Sequence, residues 1–247
     1  MTEPDTVFDK LKTLDTCTAS NAIERSNVRL RNEGFIAGAL RCRFQNFEPM
    51  LGYAVTGRIR SASAPLSGRC YCDRMDFWKY LATLPEPRVM VLEDVDHRPG
   101  LGAFVGEMHA VIGLALNCIG YVTNGAVRDL VAVKELGFHL FSGTVSVSHA
   151  YAHLVDFGDP VTIGGLKITP GDLIHGDRHG VQTIPLKIAA QIPEEAEKVM
   201  RSESEWKEFC QSPSQSMWCG IGAAMESDPR AGEPPTSPGA ARAWNFR

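Results

Sequence analysis

The sequence lacks a long hydrophobic run and a strong excess of either charge. Its longest mostly apolar stretch, Ala110 to Val122, is too short to cross a bilayer and contains Asn117. The chain has 25 lysines and arginines and 29 aspartates and glutamates, which gives a net charge of −4. No global basic field attracts a nucleic-acid backbone or an anionic membrane. The first residues, Met1 to Asp5, are unlike a targeting segment, so we expect a cytoplasmic protein that binds neither nucleic acid nor membrane.

Several common functional motifs are also absent. The seven cysteines contain no C-x-x-C pair, and Cys70 and Cys72 form a C-x-C without a second pair at zinc-site spacing. Seven cysteines cannot all pair within one chain, so we expect reduced and mostly structural thiols. The sequence has no G-x-x-x-x-G-K-[ST], H-E-x-x-H or G-x-S-x-G motif.

The overall composition is typical of one folded domain with an extension. The chain has 247 residues, of which 44% are hydrophobic and 22% are charged. After a charged helix predicted over 193–209, the composition shifts to serine, proline, glycine and alanine. We therefore predict a domain over residues 1–210 and a tail over 211–247 that is flexible or acts as an intersubunit arm.

The first half of the chain alternates between helix and strand patterns. Val89 to Leu92 is a continuous apolar run that ends in Glu93-Asp94, as expected for a buried parallel strand. The hydrophobic periods predict helices over 6–25, 76–84, 102–113 and 127–136, strands over 52–60, 89–92 and 119–122, and a turn over 123–126. This βαβα order indicates an α/β fold.

The second half is rich in short alternating segments. Gly164-Gly165 separates two of them and predicts a tight hairpin. Residues 173–177 and 181–185 flank a predicted turn at 178–180. Because no linker separates the two halves, one compact domain is the simplest organisation.

Arg128 and Asp129 form the most informative pair. They follow an apolar strand and open a predicted helix, the position where ligands bind in open α/β sheets. The arginine could hold a carboxylate in a bidentate manner, and the aspartate could ligate a hard divalent cation. Alternatively, the two are a surface ion pair in which Asp129 interacts favourably with the helix dipole.

Gly106, Glu107, Met108 and His109 form the second candidate site. They open another predicted helix after a glycine-containing loop, and free backbone amides at a helix start bind anions such as a carboxylate. Glu107 could be a metal ligand, directly or through water, or a base. Alternatively, it only interacts with the helix dipole.

Two groups of histidines are weaker candidates. His149 and His153 have the spacing of a helical metal pair, but the preceding alternation predicts a strand that would hold them about 13 Å apart. His175, Asp177 and His179 could form a hydrogen-bonded or metal-binding cluster, although solvated turn residues are the simpler interpretation.

Four ordered blocks carry a resemblance to a known family. They are Gly106–Ala110, Val122–Asp129, Val161–Asp172 and Asp177–Pro185. From about Thr18 to Pro185 the sequence resembles the RraA-like proteins. This group contains 4-hydroxy-4-methyl-2-oxoglutarate aldolases, regulators of ribonuclease E, and members once mislabelled as demethylmenaquinone methyltransferases. The chain differs from frequent family patterns in Asn124, in Met108-His109 and over residues 139–144.

The resemblance implies a fold and a site. The fold is a single β/β/α swivelling-type domain of the α/β class, with N-terminal helices and a C-terminal helix, assembled as a homotrimer or homohexamer with sites between subunits. Asp129 would hold a divalent cation, Mg²⁺ or Mn²⁺, together with waters. Arg128 would contact substrate oxygens, and the backbone amides of residues 106–109 would hold the carboxylate of the substrate.

Two functions follow as hypotheses from the resemblance. The first is a metal-dependent lyase, an aldolase or decarboxylase or both, that cleaves a small 2-oxo acid and releases pyruvate. The metal would stabilise the enolate as a Lewis acid, so no Schiff-base lysine is needed. A metal-associated water would take the proton of the distal hydroxyl, and Glu107 or a carboxylate of a neighbouring subunit could relay it. The alternative is a non-catalytic regulatory or small-carboxylate-binding protein. A methyltransferase is disfavoured because the sequence has no convincing glycine-rich nucleotide loop.

Overall fold

The structure is a computed structural model that describes residues 6–38, 40–65 and 73–211. Residues up to Val199 form one compact unit, and the chain from Met200 forms a second, whose described residues are helical. Cys70, Cys72 and all of the predicted tail after Gln211 lie outside the described residues. Among the residues described, no helix has both the length and the apolar character needed to cross a bilayer.

The chain forms helices and strands in mixed order, which confirms the predicted α/β class. The helices are α1 (Val7–Lys12), α2 (Thr16–Arg25), α3 (Arg74–Leu81), α4 (Glu107–Ala115), α5 (Leu130–Glu135) and α6 (Ile192–Gln211). The strands are β1 (Arg41–Cys42), β2 (Met50–Arg60), β3 (Arg88–Asp94), β4 (Ala103–Val105), β5 (Cys118–Val127), β6 (His139–Val145), β7 (His153–Phe157), β8 (Val161–Ile163), β9 (Leu166–Ile168), β10 (Leu173–Asp177) and β11 (Gly180–Ile184).

A mixed sheet forms the centre of the fold. Its order is β1-β6-β5-β3-β2-β10-β11, and β2, β3, β5 and β6 are parallel neighbours. The strands β1, β10 and β11 extend the sheet in antiparallel pairing, and β7 pairs with the end of β2. The predicted glycine turn joins β8 and β9 in a separate hairpin.

Both faces of the parallel strands are covered, which explains the continuous apolar run in β3. Val89 and Val91 point to a core completed by the β8–β9 hairpin. Met90 and Leu92 point to the opposite core, where Phe77 of α3 packs. Burial on both faces is typical of parallel strands between covering layers. A third core packs α1, α2 and the start of α6 against β10 and β11.

The segment predicted as helical over residues 6–25 contains two helices, α1 and α2. The break falls between Lys12 and Thr16, because Asp15 accepts a hydrogen bond from the Thr18 amide (2.7 Å) and caps α2. A short polar side chain at this position favours a helix start over continuation.

The predicted turn over residues 123–126 is wrong, since β5 continues to Val127. The side chain of Asn124 explains why the polar residue is tolerated in a strand. Its Oδ1 accepts from the Asp94 amide (2.7 Å) and its Nδ2 donates to the Asp94 carbonyl (2.9 Å). The asparagine thus supplies both a donor and an acceptor to the backbone of β3.

Two predicted helix starts were also wrong. The segment 103–105 forms β4, which pairs with β5, and the helix starts only at Glu107. The next helix starts at Leu130 instead of residue 127, because Asp129 has a left-handed backbone (φ 55°, ψ 38°). Both corrections matter for the site, since β4 brings the start of α4 beside the end of β5.

Candidate functional site

Asp129 lies at the carboxyl end of β5 with its carboxylate turned away from its own helix. It is the N-cap residue of α5, but its side chain makes no capping bond there. Instead, its Oδ2 accepts from the Glu107 amide (3.1 Å), and its Oδ1 accepts from Nε of Arg128 (3.1 Å). The left-handed backbone of Asp129 therefore accompanies a side chain that caps the neighbouring helix α4.

Gly106 leaves room for this contact. It is the N-cap residue of α4 and has no side chain to cap the helix. A Cβ atom added at Gly106 would meet the Asp129 carboxylate and would lie 2.9 Å from Cγ of Arg128. Since its φ of −139° is accessible to any residue, the close approach and not the backbone conformation requires a glycine.

Hydrogen bonds and charge keep the Asp129 carboxylate ionised. Desolvation by burial acts to raise its pKa, but the Glu107 amide and the Arg128 guanidinium act against it. The net result is a pKa of Asp129 below its ordinary value. At neutral pH the cleft therefore contains a fixed carboxylate charge that is partly exposed to solvent.

The start of α4 supplies hydrogen-bond donors beside this carboxylate. The first helical bond of the segment runs from the Ala110 amide to the Gly106 carbonyl (3.1 Å). The amides of Met108 and His109 precede it and have no acceptor within the helix. Together with the helix dipole, such amides favour a bound anion. The backbone of Arg128 is fixed to the same region by its amide, which donates to the Val105 carbonyl (3.2 Å).

All the predicted site residues line one cleft of about 620 Å³. The structure thus brings together two blocks that are separated by 18 residues in the sequence, Gly106 to His109 and Arg128-Asp129. Further lining residues that the sequence did not single out as site residues are Pro65, Arg74 and the segment 150–152. The roles assigned to the predicted residues remain predictions.

His149 and His153 both line the cleft, but the predicted strand does not extend to His149. His149 lies in the loop between β6 and β7, where its Nδ1 is 2.8 Å from the Ala103 carbonyl. His153 starts β7 and is buried, with its Nδ1 2.6 Å from the Tyr151 carbonyl. A ring nitrogen of each histidine is therefore used by the backbone.

His175 and Asp177 are structural residues outside the cleft, so their interpretation as solvated turn residues is wrong. Both are buried on β10. Asp177 accepts from the amide (2.8 Å) and the hydroxyl (2.7 Å) of Thr16 and from the amide of His179 (2.8 Å). Nε2 of His175 lies 3.0 Å from the Leu14 carbonyl. The cluster attaches the N-terminal helices to the sheet.

His109 is held in an aromatic environment at one wall of the cleft. Its ring centroid lies 5.0 Å from that of Phe104 and 6.0 Å from that of Trp78. Desolvation by burial, reinforced by the positive charge of Arg74 and by His149, lowers the pKa of His109 to about 4. His109 is therefore neutral at physiological pH, and the arginines supply the positive charge of the cleft.

A second histidine with a low pKa leads to a prediction about stability. Burial and the nearby Lys12 lower the pKa of His139 to about 4 as well. Between pH 6.5 and 4 the unfolded chain binds protons at His109 and His139 and the folded chain does not, so the unfolding free energy falls as the pH falls. From pH 7.5 to 5 we expect a loss of up to about 2 kcal/mol per histidine.

Guanidinium denaturation at the two pH values tests this. The variant His139→Gln should lose part of the pH-dependent change, because burial also lowers the pKa values of His109 and His175. An equal change in the parent and the variant would show that His139 does not titrate in this way.

The residues of the cleft fit a solvated divalent cation with few protein ligands. No group of three or more histidine, cysteine, aspartate or glutamate side chains suited to a metal occurs within the described ranges. Mg²⁺ is nevertheless commonly bound through one or two carboxylates, several waters and substrate oxygens. The ionised and partly exposed carboxylate of Asp129 is such a ligand, and Glu107 also lines the cleft.

The fold is α/β, and the cleft places the start of α4 beside a carboxylate at the end of a parallel strand. Residues 15–182 match the family described as RraA-like, Aldolase/RraA. The chain belongs to this RraA-like family, as the resemblance of the sequence blocks predicted.

Named relatives and solved structures agree with this family. The chain is 37% identical over 98 residues to a protein of Halalkalibacterium halodurans named "Putative 4-hydroxy-4-methyl-2-oxoglutarate aldolase", a match that covers 39% of this chain and 45% of that protein. A protein of the same name from Alcanivorax borkumensis is 25% identical over 52% of this chain and 80% of its own length. The chain thus spans less than half the length of the first relative.

The fold is similar to that of RraAS2 from Streptomyces coelicolor, an unusual member of the RNase ES inhibitor RraA protein family. The TM-score is 0.61 at 21% identity, over 85% of this chain and 98% of that one. A crystal structure of an uncharacterized protein from Pseudomonas syringae gives a TM-score of 0.64 at 23% identity, over 87% and 97% of the two chains. These similarities confirm the predicted RraA-like fold.

Proposed function

We propose that this protein is a divalent-metal-dependent lyase, an aldolase or decarboxylase or both, that cleaves a small 2-oxo acid and releases pyruvate. The observation that carries the proposal is the position of the Asp129 carboxylate. It is ionised, lies beside Arg128 and contacts the first amide of α4 within one cleft. A cation ligand, a guanidinium and an anion-binding helix start are the groups that a 2-oxo acid with its metal requires.

Each group has a distinct role in this proposal. The carboxylate of the 2-oxo acid binds to the amides of Met108 and His109, and Arg128 donates to the substrate oxygens. Asp129 would hold the metal, Mg²⁺ or Mn²⁺. When bound, the metal supplies positive charge where the enolate develops. Arg128 also orients Asp129 through its Nε.

Glu107 is the candidate for proton transfer. It lines the cleft, and its side chain is exposed at the start of α4. In an aldol cleavage, the carboxylate of Glu107 takes the proton of the distal hydroxyl as the carbon–carbon bond breaks. The carbon that carried the hydroxyl becomes a carbonyl, and the electron pair of the broken bond passes to the pyruvate enolate. The proton held by Glu107 then passes to the enolate carbon, which gives pyruvate. The amides and Arg128 hold the reacting acid while this happens.

The lining of the cleft also argues against covalent catalysis by an amine. No lysine is among the described residues that line it. A Schiff base with the 2-oxo group, the usual alternative to a metal in aldol cleavage, therefore has no amine donor on these walls.

The experiment is a coupled assay for pyruvate release. The purified chain is incubated with 4-hydroxy-4-methyl-2-oxoglutarate and with oxaloacetate, with added Mg²⁺ or with a chelator. The proposal expects pyruvate release from at least one substrate in Mg²⁺ and its loss in the chelator. Metal-dependent binding of either acid without turnover would contradict the lyase and favour a small-carboxylate-binding protein.

We further propose that the chain forms a homotrimer or homohexamer. Apolar side chains are exposed around the cleft: Met108 and Val111 on α4, and Val131 on α5, whose exposures are 67%, 42% and 75%. Large side chains of this kind in one region are typical of a surface that another protein covers. Light scattering at micromolar concentration should give a mass of three or six chains of 27.0 kDa. A monomer would contradict this assembly.

A cytoplasmic location fits the state of the cysteines. The four described cysteines, Cys17, Cys42, Cys118 and Cys210, are all free thiols. Burial raises the pKa of Cys118 to about 11, so this thiol is inert at neutral pH. Reduced thiols are usual in a reducing compartment.

A further inference from the structure

We propose that Arg74 binds a second anionic group of the substrate, at the end remote from the 2-oxo acid, and so selects dicarboxylates over monocarboxylates. The inference rests on the proposed function, because it assumes that the 2-oxo acid end binds at α4 and Arg128. It assigns a specificity-determining role to a residue outside the blocks that carry the family resemblance.

Local structure orients Arg74 towards the cleft. It is the first residue of α3, directly after the N-cap residue Asp73, whose side chain accepts from the Met75 amide (2.7 Å). The guanidinium carbon lies 5.5 Å from the centre of the Phe104 ring. Its Nη2 also donates to the Ala152 carbonyl (3.4 Å). The ring and the carbonyl therefore hold a long side chain that would otherwise move freely in solvent.

Arg74 keeps most of its hydrogen-bonding capacity. Among the described residues, every ion pair is formed by a cation other than Arg74, so no described carboxylate lies within ion-pair distance of Arg74. A guanidinium has five N–H donors, and a single long bond to a carbonyl uses one of them. By contrast, Arg128 already donates to Asp129. Of the two described arginines that line the cleft, Arg74 is thus the one that forms no ion pair with a described carboxylate.

The guanidinium groups of Arg74 and Arg128 have different neighbours in the cleft. The ring of His109, at the start of α4, packs on Phe104, and the guanidinium of Arg74 lies over Phe104. Arg74 and the His109 ring thus share Phe104 as a neighbour, whereas Arg128 donates to Asp129, which accepts from the first amide of α4. A substrate with one anionic group at each end matches this distribution of charge.

Binding of two matched ligands that the enzyme cannot cleave by aldol chemistry tests the inference. We choose 2-oxoglutarate and 2-oxopentanoate, because they have the same carbon chain length and differ at the remote end, a carboxylate in one and a methyl group in the other. Calorimetry in the presence of Mg²⁺ gives the two dissociation constants for the parent, Arg74→Gln, Arg74→Lys and Arg98→Gln. Arg98 is a matched control, since it is also exposed but lines a different pocket.

We expect the parent and Arg98→Gln to bind 2-oxoglutarate about 10- to 100-fold more tightly than 2-oxopentanoate, the difference that a charge-assisted hydrogen bond supplies. Arg74→Gln should lose this preference and keep the affinity for 2-oxopentanoate, which also shows that the cleft is intact. Arg74→Lys should retain part of the preference.

Three outcomes would overturn the inference. Equal binding of both ligands by the parent, or a preference that survives in Arg74→Gln, would contradict the role of Arg74 while leaving the 2-oxo acid site in place. Binding of neither ligand by the parent would contradict the proposed function and this inference together.

Discussion

Replacing Asp129 by asparagine should abolish tight Mg²⁺ binding and reduce pyruvate release by at least about 100-fold. The substitution removes the negative charge and keeps the shape, so a hard cation loses its anionic ligand. The asparagine oxygen can still accept from the Glu107 amide, a bond of 3.1 Å in the parent. We therefore expect the unfolding free energy to change by no more than about 1 kcal/mol. Calorimetric Mg²⁺ titration and the coupled pyruvate assay measure the two effects.

The variant Arg128→Lys should affect substrate binding without affecting metal binding, so we compare it with Asp129→Asn. It keeps a positive charge beside Asp129 but lacks the planar guanidinium that can bind two oxygens at once. Metal affinity should remain close to that of the parent, while the KM for the 2-oxo acid should rise. If Asp129→Asn binds Mg²⁺ and turns over like the parent, Asp129 only caps α4 and the assignment of the metal site is wrong.

Replacing Gly106 by alanine should reduce turnover by at least about 100-fold, although the substitution adds a single methyl group. The new Cβ would meet the Asp129 carboxylate and lie 2.9 Å from Cγ of Arg128, so both side chains must move. Displacement of positioned groups by about 1 Å is enough for a loss of this size. The backbone at Gly106 is accessible to alanine, and the fold should therefore remain intact. Steady-state kinetics and far-UV circular dichroism measure the two effects.

Gly113→Ala provides a control on the same helix. Gly113 lies in α4 away from the cleft lining, and an added Cβ would be 3.2 Å from the Phe138 ring. Activity and Mg²⁺ affinity should stay close to the parent values in this variant. Parent-like turnover in Gly106→Ala would mean that the contact between Gly106 and Asp129 does not matter for activity.

The sequence was sufficient to predict the parts of the fold that depend on local patterns. The continuous apolar run of β3, the paired glycines between β8 and β9 and the turn before β11 all produce the expected elements. The site blocks were also predicted, since the family resemblance rests on Gly106 to Ala110 and on Val122 to Asp129. The structure brings both into one cleft.

The errors concern segments whose conformation depends on distant partners. The predicted turn at Asn124 is absent because the Asn124 side chain forms hydrogen bonds with the backbone of β3. No local sequence pattern indicates these bonds. The start of α5 was predicted too early because Asp129 adopts a left-handed backbone and its side chain accepts a hydrogen bond from the Glu107 amide, 22 residues away in the chain. Tertiary contacts of this kind override local preference.

Arg74 was missed for a similar reason. Nothing in the sequence around it distinguishes it from an exposed helix residue. Its position in the cleft follows from contacts with Phe104 and Ala152, which lie on other elements of the fold. An aromatic residue 30 positions later gives no signal that a pattern of period 2 or 3.6 could detect.

The most direct test of the central claim is a crystal structure of the protein with Mn²⁺ and oxalate. Oxalate presents two adjacent oxygens in the same arrangement as the carboxylate oxygen and the 2-oxo oxygen of a 2-oxo acid. The account predicts that Mn²⁺ contacts the carboxylate of Asp129. It also predicts that oxalate lies between the metal, Arg128 and the amides of Met108 and His109. Mn²⁺ and oxalate bound together at a site that includes neither Asp129 nor the start of α4 would contradict it.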